Sequence, residues 1–137
     1  MSINFYFEEI DEFSLDLPKT IHWIEQTIQK EKKKTGEISF IFCSDEYLLE
    51  INRSYLDHDY YTDIITFDYV ENGEISGDIF ISVDRVQDNA EKFQVSFDNE
   101  LNRIMIHGVL HLCGYKDKAV NEKKLMTSKE DYYLGMH

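Results

Sequence analysis

Cysteine and proline are scarce in this sequence of 137 residues, which contains two cysteines and a single proline. The cysteines, Cys43 and Cys113, are too few for the disulfide framework of a small secreted protein. We therefore expect both to be buried thiols of a protein in a reducing compartment. The low proline content and the 42% of hydrophobic residues exclude a disordered chain and indicate a folded globular protein.

Long apolar runs are also missing. No stretch approaches the roughly 20 apolar residues that cross a bilayer. The first residues, MSINFYFEEIDEF, lack the basic segment followed by an apolar one that is typical of a signal peptide. We expect residues 1–137 to form a single domain of a cytoplasmic protein that does not enter a membrane.

Positive charge is the third shortage, because 14 lysines and arginines face 27 aspartates and glutamates and leave a formal net charge of −13. Such a balance argues against broad, non-specific nucleic-acid binding, which depends on neutralising phosphates, and no DNA partner is expected. It is compatible with a local basic patch and with protein partners. Four lysines lie on or just after the motif described below and are interpreted as a solvated helix start: Lys116, Lys118, Lys123 and Lys124.

Apolar periodicity predicts the order β-α-β-α-β-β-α-α-α. The strands are predicted at 3–10, 37–43, 64–70 and 78–83. The helices are predicted after Pro18, after Ser44 or Asp45, from Ser82 or Asp84 to about Phe93, from about Asp98 to Gly114, and over 120–134. This order indicates an α+β (mixed α/β) fold, with a mixed, mostly four-stranded sheet packed by helices.

Two boundaries are predicted from turn residues. The helix that begins at Pro18 carries Leu17, Ile21, Ile24 and Ile28 on one face, and the lysine run 32–34 with Gly36 is predicted to end it. The stretch ENGEISG, 71–77, is predicted to be the turn of a β-hairpin.

The stretch HGVLHLCGYKD has the spacing of a metal site. Residues four apart lie on one side of a helix, so the rings of His107 and His111 can reach the same ion. Gly114 can turn the chain sharply, which brings Asp117 back toward both histidines. Two histidines and one aspartate leave a fourth position open, so we predict a catalytic zinc site at the end of a helix.

The residue after the first histidine bears on the reaction. Zinc peptidases of the H-E-x-x-H kind carry a glutamate there as the catalytic base, whereas this chain has Gly108. Cleaving a peptide requires protonation of the leaving amine, which that base provides. In phosphodiester cleavage the charge builds on phosphoryl oxygens, which a metal stabilises directly. The motif therefore favours hydrolysis at phosphorus. Gly108 also suggests that substrate or a packed element approaches the helix here.

The same stretch, 107–117, resembles the motif H-G-x-L-H-L-x-G-Y-D-H of the YbeY proteins, bacterial zinc-dependent, single-strand-specific endoribonucleases that act in ribosomal RNA maturation. Upstream, INRSYLDHDYYTDIITF, 51–67, resembles the family pattern N-x-x-Y-R-x-x-D-x-P-T-D-V-L-S-F. GDIFIS, 77–82, is similar to the family's G-D-I-x-I-S. The element order and length fit as well, so the resemblance extends over the whole chain.

The resemblance implies a set of site residues. The family's metal ligands are the three histidines of its motif, and they correspond here to His107, His111 and Asp117. Zinc accepts carboxylate oxygen, so one Zn²⁺ remains the expected cofactor, and the anionic ligand makes Mn²⁺ or another harder divalent ion more plausible. The family's arginine after the tyrosine, thought to contact phosphate, is replaced by Leu56. Arg53 lies about one helical turn earlier on the same side and is our candidate substitute.

Other matched positions have more than one interpretation. Four of them can be turn or cap residues, or can orient water and ligands around the metal: Asp59, Thr62, Asp63 and Asp78. Three nearby tyrosines can stack on unpaired bases or simply be partly buried loop aromatics: Tyr55, Tyr60 and Tyr61.

The resemblance implies a metal-dependent endoribonuclease that cleaves single-stranded RNA, in ribosomal RNA 3′-end maturation and ribosome quality control. The expected partners are single-stranded and ribosomal RNA, together with the ribosomal subunit or its assembly proteins. Two alternatives stay open at this point. One is a zinc peptidase-like hydrolase whose base comes from elsewhere in the chain. The other is a non-catalytic, metal-stabilised module that binds the ribosome.

Overall fold

Four strands form one mixed sheet in the order β1-β2-β4-β3. In the computed structural model, which describes residues 2–137, the strands are β1 (Ser2–Glu8), β2 (Lys34–Cys43), β3 (Ile64–Asp68) and β4 (Glu74–Ser82). β2 pairs in parallel with both β1 and β4, whereas β3 and β4 form an antiparallel hairpin. The predicted α+β class and the mixed four-stranded sheet are confirmed.

Within residues 2–137, five helices complete the predicted order. They are α1 (Leu17–Lys30), α2 (Asp45–Leu56), α3 (Val83–Phe93), α4 (Phe97–Leu112) and α5 (Val120–Leu134). Ser44, Ser82 and Ser96 begin α2, α3 and α4, and each hydroxyl accepts a hydrogen bond from a backbone amide of the first turn. Such caps satisfy amides that have no partner inside the helix.

The main core lies on one face of the sheet, and α4 is its most buried helix. Apolar residues of α1, α4 and α5 pack there against β2 and β4. On the other face, α2 covers a smaller cluster formed by Cys43, Leu48 and Ile65. Because alternate strand residues point to opposite faces, Ile64 contributes to the main core while its neighbour Ile65 contributes to the small one.

The predicted end of α1 was wrong by several residues. α1 ends at Lys30, and the chain turns at Lys32, which has a φ of 62°. The lysine run therefore spans the turn and the start of β2, and Gly36 is a strand residue. The buried face is also rotated from the predicted one, because Trp23 is buried while Leu17 is 41% exposed.

The hairpin turn is shorter than predicted. Asn72 and Gly73 have φ values of 54° and 76° and form its two central residues. Two consecutive positive φ values match the twist of the flanking strands, which explains the Asn-Gly pair. β4 accordingly begins at Glu74, and Gly77 lies inside the strand.

The two cysteines are free thiols, with Cys43 buried and Cys113 partly buried. Burial raises the pKa of both thiols to about 12, so neither is ionised near neutral pH. Among the helices of residues 2–137, none combines the length and the apolarity that a membrane span requires.

Candidate metal centre

The two motif histidines emerge at the C-terminal end of α4. Their helical spacing of four places the rings side by side, with centroids 4.6 Å apart and ring planes 80° to each other. Although the helix is mostly buried, the side chains of His107 and His111 are 20% and 28% exposed. Both rings are therefore fixed by a buried helix and still open to the solvent side.

The loop after α4 reverses the chain at Gly114, as predicted from the sequence. Gly114 has a φ of 107°, a conformation that other residues rarely adopt. The amide of Gly114 donates to the carbonyl of His111, and the amide of Tyr115 donates to that of Leu110, each at 3.0 Å. These two bonds are the Schellman pattern, which ends a helix and reverses the chain.

The reversal brings Asp117 to the histidines. Its Oδ2 lies 3.1 Å from Nε2 of His107 and 3.3 Å from Nε2 of His111. One ligand atom from each of the three residues falls within 4.8 Å of the others. Two atoms bound to one zinc in tetrahedral geometry lie about 3.4 Å apart, so the spacing fits a single ion. The structure places all three predicted ligands in position to bind a metal.

The protonation of His107 also fits a cation. Its Nδ1 lies 2.6 Å from Oε2 of Glu130 and donates its hydrogen to that carboxylate. Its Nε2 faces Oδ2 of Asp117 at 3.1 Å. Burial lowers the pKa of His107, but Glu130, Asp117 and Asp63 together outweigh it and raise the pKa. Because the raised pKa favours a proton on Nε2 beside Asp117, a metal ion bound by these two groups would take the place of that proton.

Glu130 is the functional residue that sequence reasoning missed. It comes from α5, is 7% exposed, and also accepts a hydrogen bond from Nη1 of Arg103 at 2.8 Å. Arg103 reaches Asp131 with its Nη2 at 2.6 Å. A carboxylate that holds the second nitrogen of a metal-ligating histidine fixes the ring and its tautomer. The available signal was a charged residue on the buried face of α5, between Met126 and Tyr133.

A cavity of about 600 Å³ opens beside the three ligands. It is lined by His107, His111, Asp117 and Lys118, by Asn52, Leu56, His58, Tyr60, Thr62 and Asp63, and by Ile64, Ile65, Thr66, Asp68 and Leu112. Burial raises the pKa of the Asp63 carboxyl, although the charge of His107 and two backbone amides lower it. A cavity carboxyl that keeps its proton to higher pH can exchange that proton with a bound substrate.

Comparisons with known proteins decide the family. The Endoribonuclease YbeY family matches residues 6–136. The chain belongs to the YbeY family. Proteins named endoribonuclease YbeY from Flavobacterium johnsoniae and Bacteroides thetaiotaomicron are 55% and 46% identical to it. The alignments cover 98% and 99% of this chain and 96% and 99% of those relatives.

A solved structure agrees with the YbeY assignment. The solution structure of a Thermotoga maritima protein superposes with a TM-score of 0.69 at 27% identity. The match covers 95% of this chain and 86% of the other. The resemblance read from the motifs is confirmed.

The candidate for the family's arginine lies outside the cavity. Arg53 is bound to Asp59 through Nε at 2.5 Å and to Glu50 through Nη1 at 3.0 Å, and its side chain is 48% exposed. Leu56, at the family's arginine position, does line the cavity. Arg53 can reach a substrate phosphate there only by leaving its carboxylate partners.

The other matched positions divide between the cavity and the surface. Thr62, Asp63 and Tyr60 line the cavity. Asp59 instead pairs with Arg53, and Asp78 lies within β4. Two of the three tyrosines do not line the cavity: the ring of Tyr55 stands against Phe67, and the hydroxyl of Tyr61 donates to Glu46.

Gly108 is explained by packing. A Cβ at this position would lie 2.9 Å from Cγ2 of Ile79, closer than Cβ atoms normally approach, and at a tight 3.1 Å from Cδ1 of Ile64. The face of α4 that carries Gly108 thus packs closely against the sheet. A glutamate at 108 would begin against these two isoleucines and would fit only if both shifted, so the packing disfavours the peptidase base at this position.

Proposed function

We propose that this protein is a metal-dependent endoribonuclease that cleaves single-stranded RNA. The observation that carries the proposal is the convergence of His107, His111 and Asp117 at one cavity in a chain of an endoribonuclease family. Zn²⁺ is the proposed ion because two imidazoles and one carboxylate suit it, with Mn²⁺ as the alternative. We further propose that residues 1–137 act as one catalytic domain.

The residues around the cavity have separate tasks. A bound divalent ion supplies a Lewis acid and acidifies a water molecule. Glu130 holds the Nδ1 proton of His107, which keeps Nε2 directed at the cavity. Asp63 is placed to take or return a proton at the substrate. His58 and Tyr60 stack at 5.1 Å with planes 23° apart and offer an aromatic surface to an unpaired base.

The biological setting is proposed from the family. We infer that the substrate is ribosomal RNA, in 3′-end maturation and ribosome quality control, and that the ribosomal subunit or its assembly proteins are partners. Free thiols fit a reducing compartment, which supports a cytoplasmic location. Of the alternatives, a peptidase is disfavoured by the packing at Gly108.

Metal removal tests the proposal. We expect a chelator to stop cleavage of a labelled, unstructured RNA, because the reaction would depend on an ion held by only three protein ligands. Zn²⁺ or Mn²⁺ added in excess of the chelator should restore the cleavage. The measurement is a gel time course, with the same RNA as a duplex and casein as substrates that should remain intact. Equal cleavage with and without chelator would separate the metal centre from the reaction, and digested casein would favour the peptidase.

Substitution of Arg53 tests its assignment. We propose that Arg53 leaves its carboxylates to contact the substrate phosphate, so Arg53→Ala should lower kcat/KM about tenfold to a hundredfold, the worth of one charged hydrogen bond. Asp59→Asn is the matched control, because it breaks the same ion pair but keeps the guanidinium. Unchanged kcat/KM in Arg53→Ala, or an equal loss in both variants, would make Arg53 a loop-stabilising residue only.

A further inference from the structure

A second cavity lies between the C-terminal end of α1 and the last turns of α5. Its volume is about 610 Å³, and we call it the α1–α5 cleft. The cleft is lined by Lys30, Glu31, Lys32, Ser128, Lys129, Tyr132 and Tyr133. Three lysines against one glutamate make it locally basic, in a chain whose formal net charge is −13.

Two of the three lysines in the cleft have no ion-pair partner in the described part of the chain, unlike the arginines. The three arginines, Arg53, Arg85 and Arg103, each lie within 4.0 Å of two carboxylates. In residues 2–137, neither Lys30 nor Lys32 has a carboxylate partner, and both are exposed. Unpaired lysines can neutralise phosphates without first breaking an ion pair.

The cleft also presents an aromatic face. Tyr132 is 54% exposed, and Nζ of Lys30 lies 5.9 Å from the centroid of its ring. The ring of Tyr133 supports Tyr132 edge-on at 5.0 Å. Aromatic rings flanked by cations bind single-stranded nucleic acid, because bases stack on the ring while phosphates meet the cations.

The cleft is connected to the metal centre through contacts of neighbouring segments, although the two cavities have no lining residue in common. The Glu31 carboxylate accepts hydrogen bonds from Lys129 at 3.3 Å, from Tyr115 at 2.6 Å and from Tyr133. Tyr115 belongs to the loop that delivers the ligand Asp117. Lys129 directly precedes Glu130, which holds His107. The loop after α4 and helix α5 therefore each contact Glu31 in the cleft and each contribute one residue to the metal centre.

We propose that the α1–α5 cleft binds nucleotides of single-stranded RNA that extend beyond the metal cavity. One base stacks on Tyr132, and the neighbouring phosphates lie against Lys30 and Lys32. Glu31 does not oppose this, since its carboxylate is already bound by Lys129 and two tyrosines. The inference rests on the proposed function, because it assigns further nucleotides of the same substrate to a second surface.

Fluorescence anisotropy tests whether the cleft binds RNA. The probe is a fluorescein-labelled oligouridylate of about 12 nucleotides, a length within the range that single-strand sites cover. Its 2′-hydroxyls are methylated, and a gel confirms that the probe stays intact. We expect Lys30→Gln with Lys32→Gln to weaken binding about tenfold at 0.1 M salt and to reduce the slope of log K against log salt by about 1.4, the value for two phosphate contacts.

Tyr132 provides the second arm of the test. Tyr132→Ala should weaken binding about fivefold or more without changing the salt slope, because base stacking carries no charge. Tyr132→Phe keeps the ring and should bind within twofold of the wild type. The control for charge is Lys19→Gln with Lys92→Gln, two exposed lysines elsewhere on the surface, which should also stay within twofold.

Two outcomes would contradict the proposal that the cleft binds RNA. Affinity unchanged in the Lys30 and Lys32 double variant and in Tyr132→Ala would show that RNA does not enter it. An equal loss in the Lys19 and Lys92 control would reduce the effect to net charge. Cleavage of unmethylated labelled RNA by the wild type separates the two proposals. If the protein is not an endoribonuclease, this RNA stays uncut. If only the proposal for the cleft is wrong, the wild type still cuts it.

Discussion

His111→Ala is expected to lower kcat/KM for single-stranded RNA about a thousandfold, because a lost metal ligand removes several kcal/mol of charge stabilisation in the reaction. The helix itself should tolerate the change, since His111 is partly exposed and alanine favours helices. The measurement is initial cleavage rates of wild type and variant purified identically, so that contaminating nuclease shows in both.

Two further variants make this result specific. His22→Ala changes an exposed histidine of α1 and should leave the rate unchanged. Asp117→His restores the third histidine of the YbeY motif, and we expect it to keep cleavage within tenfold of the wild type because imidazole is an equally good zinc ligand. A rate for His111→Ala equal to that of the wild type would remove the metal centre from the reaction.

Glu130→Ala is expected to weaken Zn²⁺ binding about 10- to 100-fold, although Glu130 does not reach the ion. The loss follows because His107 would no longer be held by its Nδ1 hydrogen. Arg103 would also lose its buried partner, so the free energy of unfolding should fall by about 2–4 kcal/mol. Isothermal titration of metal-free protein measures the first effect, and urea unfolding with and without Zn²⁺ measures the second.

Asp131→Ala is the matched control for Glu130. Asp131 pairs with the same arginine but is 61% exposed and does not contact His107. Its replacement should leave Zn²⁺ affinity unchanged and cost at most about 1 kcal/mol of stability. The Zn²⁺ affinity of Glu130→Gln should lie between those of the wild type and Glu130→Ala, because the amide oxygen of glutamine can still accept the Nδ1 hydrogen. If Glu130→Ala and Asp131→Ala bind Zn²⁺ equally, another group orients His107.

The metal centre was largely predictable because its ligands are local. His107 and His111 are fixed by helical spacing, and the positive φ of Gly114 turns the chain toward Asp117. The sequence distance is short enough for backbone geometry alone to determine which of these side chains meet. The family resemblance, which also drew on stretches 51–67 and 77–82, is confirmed.

Features that depend on packing between distant segments were missed. Glu130 reaches His107 only because α5 lies across α4, and no periodicity reveals that contact. Gly36 was assigned to a helix end, because a strand glycine and a turn glycine look alike in sequence. Leu17 was predicted to lie on the buried face of α1. That face is determined by how α1 packs on the sheet, which buries Trp23 and leaves Leu17 exposed.

The Glu31 carboxylate joins the α1–α5 cleft to the loop that carries Asp117, through its hydrogen bond with Tyr115. The two sites are therefore connected by a direct contact. If RNA in the cleft steadies that loop, it raises metal affinity, and by reciprocity the ion raises RNA affinity by the same factor. A cell poor in the metal would then lose substrate capture as well as turnover, and bound RNA would lower the metal concentration at which the enzyme is half-saturated.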